Sequence, residues 1–290
     1  MVNLYISDNL YTIIKIAARL LLKIFFQKKV IAATELFETR GPLLLVANHP
    51  NSFLDAIIIG ATCKYPVHYL ARGDAFQKSH YRILLNGLQM IPIYRMREGR
   101  DKIQLNASSF AKTQEVLNKN GIVLIFIEGI CINSHQLQSF QKGAARIIMG
   151  YEGAVPLKVL PVCVFYSQIP AVFKKVVVSA GQLFEADEFL KEKNTVKTVQ
   201  GFNSTIKSAL ESLLVKSSEL ASVEESQYPA LGKIIKYVVL PIFWPIRRMV
   251  YAVTKGTVFF DSVLFGVLLF ILPIWFFLVF STFIYFISKL

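Results

Sequence analysis

The sequence predicts an α/β fold, in which a mixed, largely parallel sheet is flanked by helices, with an N-terminal interfacial helix and a C-terminal hydrophobic membrane anchor. Between residues 30 and 225, apolar runs of strand length alternate with runs of helix length. Strands that alternate with helices form parallel sheets covered on both faces. A basic stripe marks residues 1–29, and a long uncharged run lies within residues 226–290. These three observations divide the chain into a membrane-associated helix, a globular domain and an anchor.

The first segment, residues 1–29, carries Lys15, Arg19 and Lys23 at intervals of four on an otherwise apolar helix. A basic stripe on an apolar helix is typical of a helix that lies in the membrane interface. The alternative is a helix packed on its own domain with a solvated basic edge. The same basic residues interrupt any apolar core of a signal peptide, so we expect none here.

The domain at residues 30–225 contains six apolar or β-branched runs of strand length, and two helical stretches, Leu105–Asn118 and Val196 to Leu213, lie among or after them. In parallel sheets the working residues lie on loops at the ends of strands. The predicted strands are Pro42–Ala47, Val67–Ala71, Met90–Tyr94, Gly121–Ile127, Leu157–Phe165 and Val176–Ala180.

The last segment, residues 226–290, begins with a basic and aromatic stretch from Lys233 to Lys255 that contains no acidic residue. Such a stretch is typical of a membrane interface. The uncharged run Ser262–Ser288 follows, and as a helix it would be about 40 Å long against a hydrocarbon core of about 30 Å. Pro273 lies near its middle, so either one kinked span or a re-entrant hairpin fits.

Charge and composition limit the classes of molecule that this protein is expected to bind. The chain of 290 residues has 32 basic and 19 acidic side chains, a net charge of +13, and it is 54% hydrophobic. A basic surface suits nucleic acid, an anionic membrane or an anionic substrate. The apolar content favours the lipid bilayer and excludes nucleic acid. Cys63, Cys131 and Cys163 are spaced for neither a zinc site nor disulfides, so we expect buried thiols and no metal.

The chemistry-bearing residues begin directly after the strand Pro42–Ala47, with Asn48 and His49, and Asp55 follows six positions after His49. If the carboxylate meets one imidazole nitrogen, it fixes the tautomer and leaves the other nitrogen free to take a proton from a hydroxyl. In the alternative interpretation His49 makes a core hydrogen bond and Asp55 caps the next helix.

Three further motifs follow at strand ends. Arg95 follows the strand Met90–Tyr94, and a guanidinium there suits phosphate or carboxylate binding. Glu128-Gly129 follows the strand Gly121–Ile127, with Lys142-Gly143 downstream. A strand with an internal proline, Pro161, comes last.

In order and spacing these motifs resemble the PlsC-like glycerolipid acyltransferases, which include lysophosphatidic acid and glycerol-3-phosphate acyltransferases. That family has Asn-His-x4-Asp, Gly-x-x-Phe-Ile-x-Arg, Phe-Pro-Glu-Gly-Thr-Arg-Ser with a later Lys-Gly, and Val-Pro-Val. The matching positions are Asn48/His49/Asp55, Gly87 to Arg95, Phe126/Glu128/Gly129 with Lys142/Gly143, and Leu160/Pro161/Val162.

The resemblance implies a membrane-bound enzyme that moves a fatty acyl group from a thioester donor, acyl-CoA or acyl carrier protein, to a hydroxyl of a glycerophospholipid precursor. No other cofactor is implied. His49 would be the general base and Asp55 its orienting partner, while Asn48, Arg95, Glu128, Gly129 and Lys142 would bind or shape the substrate site. The positive flank of the anchor implies the inner membrane, with the catalytic domain on its cytoplasmic face.

Two departures from the family pattern bear on the acceptor. His49 and Asp55 are separated by five residues instead of four, as in some glycerol-3-phosphate and dihydroxyacetone-phosphate acyltransferase relatives. Cys131 stands where the family has an arginine. The acceptor is therefore either a phosphate bound by Arg95 and Lys142 or a lipid of another kind, such as a lyso-aminolipid. An inactive lipid-binding protein on this fold, or a hydrolase in which His49 activates water, are the remaining alternatives.

Overall fold

One mixed sheet organises the part of the chain that the computed structural model describes, which is residues 2–26, 28–95, 104–169, 174–190, 195–223 and 230–289. Within these residues the sheet has eight strands in the order β1-β7-β6-β2-β5-β3-β4, with β8 also paired to β6. The strands are β1 (Lys28–Ala32), β2 (Leu43–Ala47), β3 (Val67–Arg72), β4 (Met90–Ile93), β5 (Ile122–Phe126), β6 (Lys158–Tyr166), β7 (Lys175–Ala180) and β8 (Phe184–Glu185).

The pairing confirms a largely parallel sheet, because only β6 with β7 and β6 with β8 run antiparallel. All six predicted strands are present, with no end shifted by more than one residue. The structure adds β1 and β8, which the sequence analysis did not identify. β1 is a short edge strand that begins with two lysines and pairs with β7, and β8 has two residues, so neither has the long apolar run on which the prediction relied.

Helices cover both faces of the sheet. One hydrophobic cluster joins one face to α1, α2, α7 and α8, and a second joins the other face to α4, α5 and α6. The core therefore runs through all three predicted segments, and the predicted boundaries at residues 30 and 225 do not separate independent cores. The helices are α1 (Val2–Phe25), α2 (Phe53–Thr62), α3 (Ser79–Gly87), α4 (Asn106–Asn118), α5 (Gly143–Met149), α6 (Thr195–Ser222), α7 (Ala230–Thr254) and α8 (Phe260–Ile287).

Two of the three basic side chains of α1, Lys15 and Arg19, contact the end of α2 and the loop after it. Arg19 donates from Nε to the carbonyl oxygen of Ala61 at 2.7 Å and from Nη2 to that of Cys63 at 3.1 Å. Lys15 Nζ donates to the carbonyl oxygens of Lys64 and Tyr65 at 3.3 and 3.2 Å. Arg19 therefore stabilises the carbonyl end of α2, and Lys15 binds the loop that follows it. The exposed side chains of α1 include apolar ones, Leu10, Ile13, Ile16 and Leu20.

The C-terminal run forms one continuous helix, α8, which passes through Pro273 without ending. The re-entrant hairpin is therefore not observed. Of the described helices, α8 is the one long and apolar enough to cross a membrane. Its buried residues all lie at or before Leu272, so its first half is docked on the domain and its second half is mostly exposed.

Candidate active site

Strand register brings the predicted site residues to one edge of the sheet. Ala47, the last residue of β2, is aligned with Phe126 on β5 and with Val162 on β6. β6 continues for four more residues, to Tyr166, and so flanks the loop that leaves β2. The carboxyl ends of β2 and β5 and the extended end of β6 therefore surround the His-x5-Asp motif.

Asn48 extends the pairing of β2 with β6 by one side chain. Its Nδ2 donates to the Val164 carbonyl oxygen at 3.1 Å, and its Oδ1 accepts from the Val164 amide at 2.8 Å. The residue is only 4% exposed. Each polar atom of the side-chain amide binds the backbone once, and the predicted substrate contact of Asn48 stays a prediction. Asn48 fixes the direction in which the chain enters His49.

His49 and Asp55 form the predicted dyad. His49 Nδ1 lies 3.0 Å from Asp55 Oδ2, and the Asn51 amide donates to the same oxygen at 2.7 Å. The Tyr166 hydroxyl donates to Asp55 Oδ1 at 2.7 Å. Because the Asn51 amide and the Tyr166 hydroxyl both donate to this carboxylate, it acts as the acceptor, which gives His49 Nδ1 the donor role and leaves Nε2 outside this contact. Asp55 is fully buried, whereas the His49 side chain is 18% exposed, so the ring reaches the surface.

Ser52 lies in the five-residue spacer between His49 and Asp55, directly before α2. Ser52 has φ 52° and ψ −146°, a region that non-glycine residues seldom occupy and that costs about 1–3 kcal/mol. Its amide donates to Cys131 Sγ at 2.9 Å. Burial raises the pKa of the Cys131 thiol to about 12, so the sulfur is a neutral acceptor. The residue that replaces the family's arginine therefore supports the dyad loop.

Glu128 holds the backbone of His49. One carboxylate oxygen accepts from the His49 amide and the other from the Gln138 amide, both at 2.8 Å. Burial raises the pKa of Glu128, and these two hydrogen bonds oppose the shift. The Phe126 ring stacks on the imidazole, with centroids 3.8 Å apart. In this geometry Glu128 positions His49, and its predicted part in the substrate site stays a prediction.

The predicted cations lie beside the Glu-Gly motif. Arg95 Nη1 donates to the Gly129 carbonyl oxygen at 3.1 Å, and Gly129 has a φ of +62°, which favours glycine. Lys142 is exposed and directly precedes α5. Its neighbour Gln141 donates its amide to the Ile127 carbonyl oxygen at 2.8 Å, which ties this loop to the end of β5. The described structure thus gathers the dyad, Glu128, Gly129 and Arg95 at one edge, with Lys142 on an adjoining loop.

The family model described as Acyltransferase matches residues 28–165, which contain every predicted site residue. This region of the chain is therefore similar to the acyltransferase family. Its fold is similar to that of the crystal structure of the 1-acyl-sn-glycerophosphate (LPA) acyltransferase PlsC from Thermotoga maritima, with a TM-score of 0.53 and 15% identity. The match covers 76% of this chain and 83% of the other. No curated protein sequence is significantly similar to this chain.

The predicted fold class is therefore confirmed, and the family match confirms an acyltransferase as the class of enzyme. Several residues of this acyltransferase that contact the dyad or its loop were not among the predicted site residues. Phe126 and Tyr166 stand at the carboxyl ends of predicted strands, a position that in a parallel sheet points to the site. Asp261 and Ser262, at the start of α8, carried no such signal, because they precede an apolar run some 210 residues away from the motif.

Proposed function

We propose that this acyltransferase moves a fatty acyl group from a thioester donor to a hydroxyl of a lysophosphatidic acid or glycerol phosphate type acceptor. The observation that carries the proposal is the 3.0 Å contact between His49 Nδ1 and a fully buried Asp55, with the imidazole still partly exposed. This geometry supports a general base that is held in one tautomer and remains accessible to an alcohol.

The His49–Asp55 dyad alone supplies the proton transfers that this reaction needs. His49 Nε2 accepts the proton of the acceptor hydroxyl while the oxygen attacks the thioester carbonyl carbon. The carbon–sulfur bond then breaks, and the leaving thiolate takes the proton back from the imidazolium. Asp55 keeps its charge throughout and stabilises the imidazolium. No covalent acyl-enzyme is required, so none of the three cysteines has to act as a nucleophile.

Arg95 supports the choice of a phosphate-bearing acceptor. Its guanidinium already donates to Gly129, one residue after the glutamate that holds His49, so its charge lies close to the dyad. A guanidinium binds phosphate oxygens in a fixed, bidentate geometry, and a lysine such as Lys142 adds a second, mobile charge.

A second acceptor class is favoured by Cys131. The cation that the family has at this position is replaced by a thiol that holds the Ser52 amide. An acceptor without a phosphate, such as a lyso-aminolipid, would not need that cation.

We also propose that the enzyme works at the cytoplasmic face of the inner membrane. Exposed apolar side chains on α1 and on the second half of α8 support contact with a bilayer, and the basic flank of α8 supports the orientation. Protease digestion of sealed inverted vesicles should therefore cleave the catalytic domain. Complete protection in those vesicles would contradict this orientation.

The acceptor and the donor are tested together by incubating the purified protein with labelled acyl-CoA or labelled acyl carrier protein. The acceptor panel holds lysophosphatidic acid, glycerol phosphate, other lyso-phospholipids and a lyso-aminolipid. We expect labelled product with a phosphate-bearing acceptor. Product with the lyso-aminolipid alone supports the second candidate, whereas free fatty acid released without any acceptor dependence would indicate a hydrolase.

A further inference from the structure

The first turn of α8 touches the loop that carries the dyad. Ser262 Oγ accepts a hydrogen bond from the Leu54 amide and donates one to the Asn51 carbonyl oxygen, both at 3.0 Å. These two backbone groups flank Ser52, the residue with the unfavourable φ and ψ. The Ser262 hydroxyl therefore bridges the loop across its most strained point, and the serine is fully buried.

Asp261 reaches the same loop through a side chain. Its Oδ2 accepts from Asn51 Nδ2 at 2.8 Å and forms an ion pair with Lys174. Both charged side chains are fully buried. The Asn51 amide in turn donates to Asp55 Oδ2, the oxygen that faces His49. One residue thus separates the C-terminal helix from the carboxylate of the dyad.

Lys174 is connected through Tyr166 to Oδ1, the other carboxylate oxygen of Asp55. Its Nζ lies 4.4 Å from the centroid of the Tyr166 ring, within the range of a cation–π contact. The Tyr166 hydroxyl donates to Asp55 Oδ1. Both carboxylate oxygens of Asp55 are therefore held by residues that the Asp261–Lys174 pair contacts.

We propose that Asp261 and Ser262 are positioning residues of the acyl transfer reaction, which hold residues 50–54 so that Asp55 keeps His49 in its working orientation. The inference rests on the proposed function of His49 as general base. A strained backbone persists only where its surroundings over-determine it, and the contacts of α8 supply part of that constraint at Ser52. A displacement of about 1 Å in a catalytic geometry is enough to lower a rate about 100-fold. The apolar C-terminal helix is then part of the active site's support as well as a hydrophobic surface.

The test compares two serine-to-alanine variants of the same helix in the full-length protein. Ser262→Ala removes the bridging hydroxyl, while Ser281→Ala changes an exposed serine on the far half of α8. We expect Ser262→Ala to lower kcat roughly 10- to 100-fold, with KM for the donor and the acceptor almost unchanged. Ser281→Ala should keep the kcat and KM of the unaltered protein.

A second readout follows the dyad directly. The proton on His49 Nδ1, identified by its loss in His49→Ala, should give a downfield NMR signal in the unaltered protein and in Ser281→Ala. In Ser262→Ala we expect this signal to weaken or shift upfield, because Asp55 is no longer held against the imidazole.

Unchanged kcat and an unchanged Nδ1 signal in Ser262→Ala would overturn the inference. A lower kcat with an unchanged Nδ1 signal would also overturn it, because the effect would then not pass through the dyad. If the unaltered protein transfers no acyl group to any acceptor, the proposed function fails. The NMR comparison then still decides whether α8 holds the His49–Asp55 contact.

Discussion

Residues 260–272 and residues 273–287 belong to one apolar helix, yet the domain covers the first part and leaves most of the second exposed. The covered half packs Phe265 and Leu268 into the core and directs Asp261 and Ser262 at the dyad loop. The exposed half shows large apolar side chains such as Phe280. The two halves have similar hydrophobicity, so composition alone does not tell which one packs on the domain and which one stays exposed.

The exposed half of α8 is also shorter than a helix that spans a bilayer. Residues 273–287 as a helix are about 22 Å long, shorter than a hydrocarbon core of about 30 Å. The exposed half alone is therefore too short to cross a bilayer. A full span would require residues of the docked half to enter the bilayer together with the faces of the domain that cover them.

The largest contrast between the halves is expected from introducing one lysine. Leu268→Lys places an unpaired charge at a site that is 2% exposed, and Phe280→Lys places one at a site that is 62% exposed. We expect Leu268→Lys to lower the free energy of unfolding by about 4 kcal/mol or more, or to prevent folding. Phe280→Lys should change it by less than about 0.5 kcal/mol in detergent. Chemical denaturation followed by circular dichroism measures both.

Phe280→Lys also tests whether the exposed half contacts a membrane. A lysine near the middle of a bilayer costs about 3 kcal/mol, so Phe280→Lys should reduce the fraction of protein bound to anionic vesicles in a flotation assay. Equal flotation of Phe280→Lys and the unaltered protein would show that the exposed half does not enter lipid.

The buried ion pair of the docked half gives the next largest effect. Burial lowers the pKa of Lys174, and the Asp261 carboxylate opposes that shift. Lys174→Met leaves the carboxylate buried and unpaired, which we expect to cost about 3–5 kcal/mol of unfolding free energy. The double variant Lys174→Met/Asp261→Leu should recover part of that loss, because neither charge then remains unpaired.

An exposed ion pair serves as the control for these two variants. Lys119 and Glu115 form an exposed ion pair on the opposite side of the sheet, and removing it with Lys119→Met should cost far less than Lys174→Met, because solvent and salt screen exposed charges. A cost for Lys174→Met as small as that of Lys119→Met would contradict the account of the docked half.

The smallest effect is expected where the two halves meet. Trp275 Nε1 donates to the Val238 carbonyl oxygen of α7 at 2.9 Å. Trp275→Phe removes this hydrogen bond and keeps an aromatic ring, so we expect a loss of about 1 kcal/mol in unfolding free energy. Acyl transfer should keep its kcat, because Trp275 makes no contact with the dyad loop among the contacts described. A kcat reduced as much as in Ser262→Ala would show that the whole helix acts on the site.

Local sequence patterns predict part of this enzyme. Six strands follow from apolar runs, and His49 and Asp55 follow from a motif at a strand end. Asn48 and Glu128 belong to the same motifs, yet their polar atoms bind backbone groups of distant strands and loops, which no local pattern specifies. The cysteine at position 131 was noted as a missing cation, and its use as an acceptor for Ser52 depends on the folded loop.

The C-terminal helix shows why the remainder required a structure. From the sequence, Asp261 is only the charge that precedes a hydrophobic run. Its hydrogen bond to Asn51 and its ion pair with Lys174 join three segments far apart in the chain. Hydrophobic burial of the first half of α8 brings them together, and the periodicity of an almost uniformly apolar helix does not indicate which side will be buried.

The central claim is that His49 acts as the general base of acyl transfer, and the most direct measurement is the turnover of His49→Ala against His80→Ala. His80 is an exposed histidine on α3 and serves as the matched control. With the donor and acceptor found in the panel assay, His49→Ala should lose on the order of 100- to 10,000-fold in kcat without a change in melting temperature, while His80→Ala stays unchanged. Near-normal turnover by a folded His49→Ala protein would contradict the account.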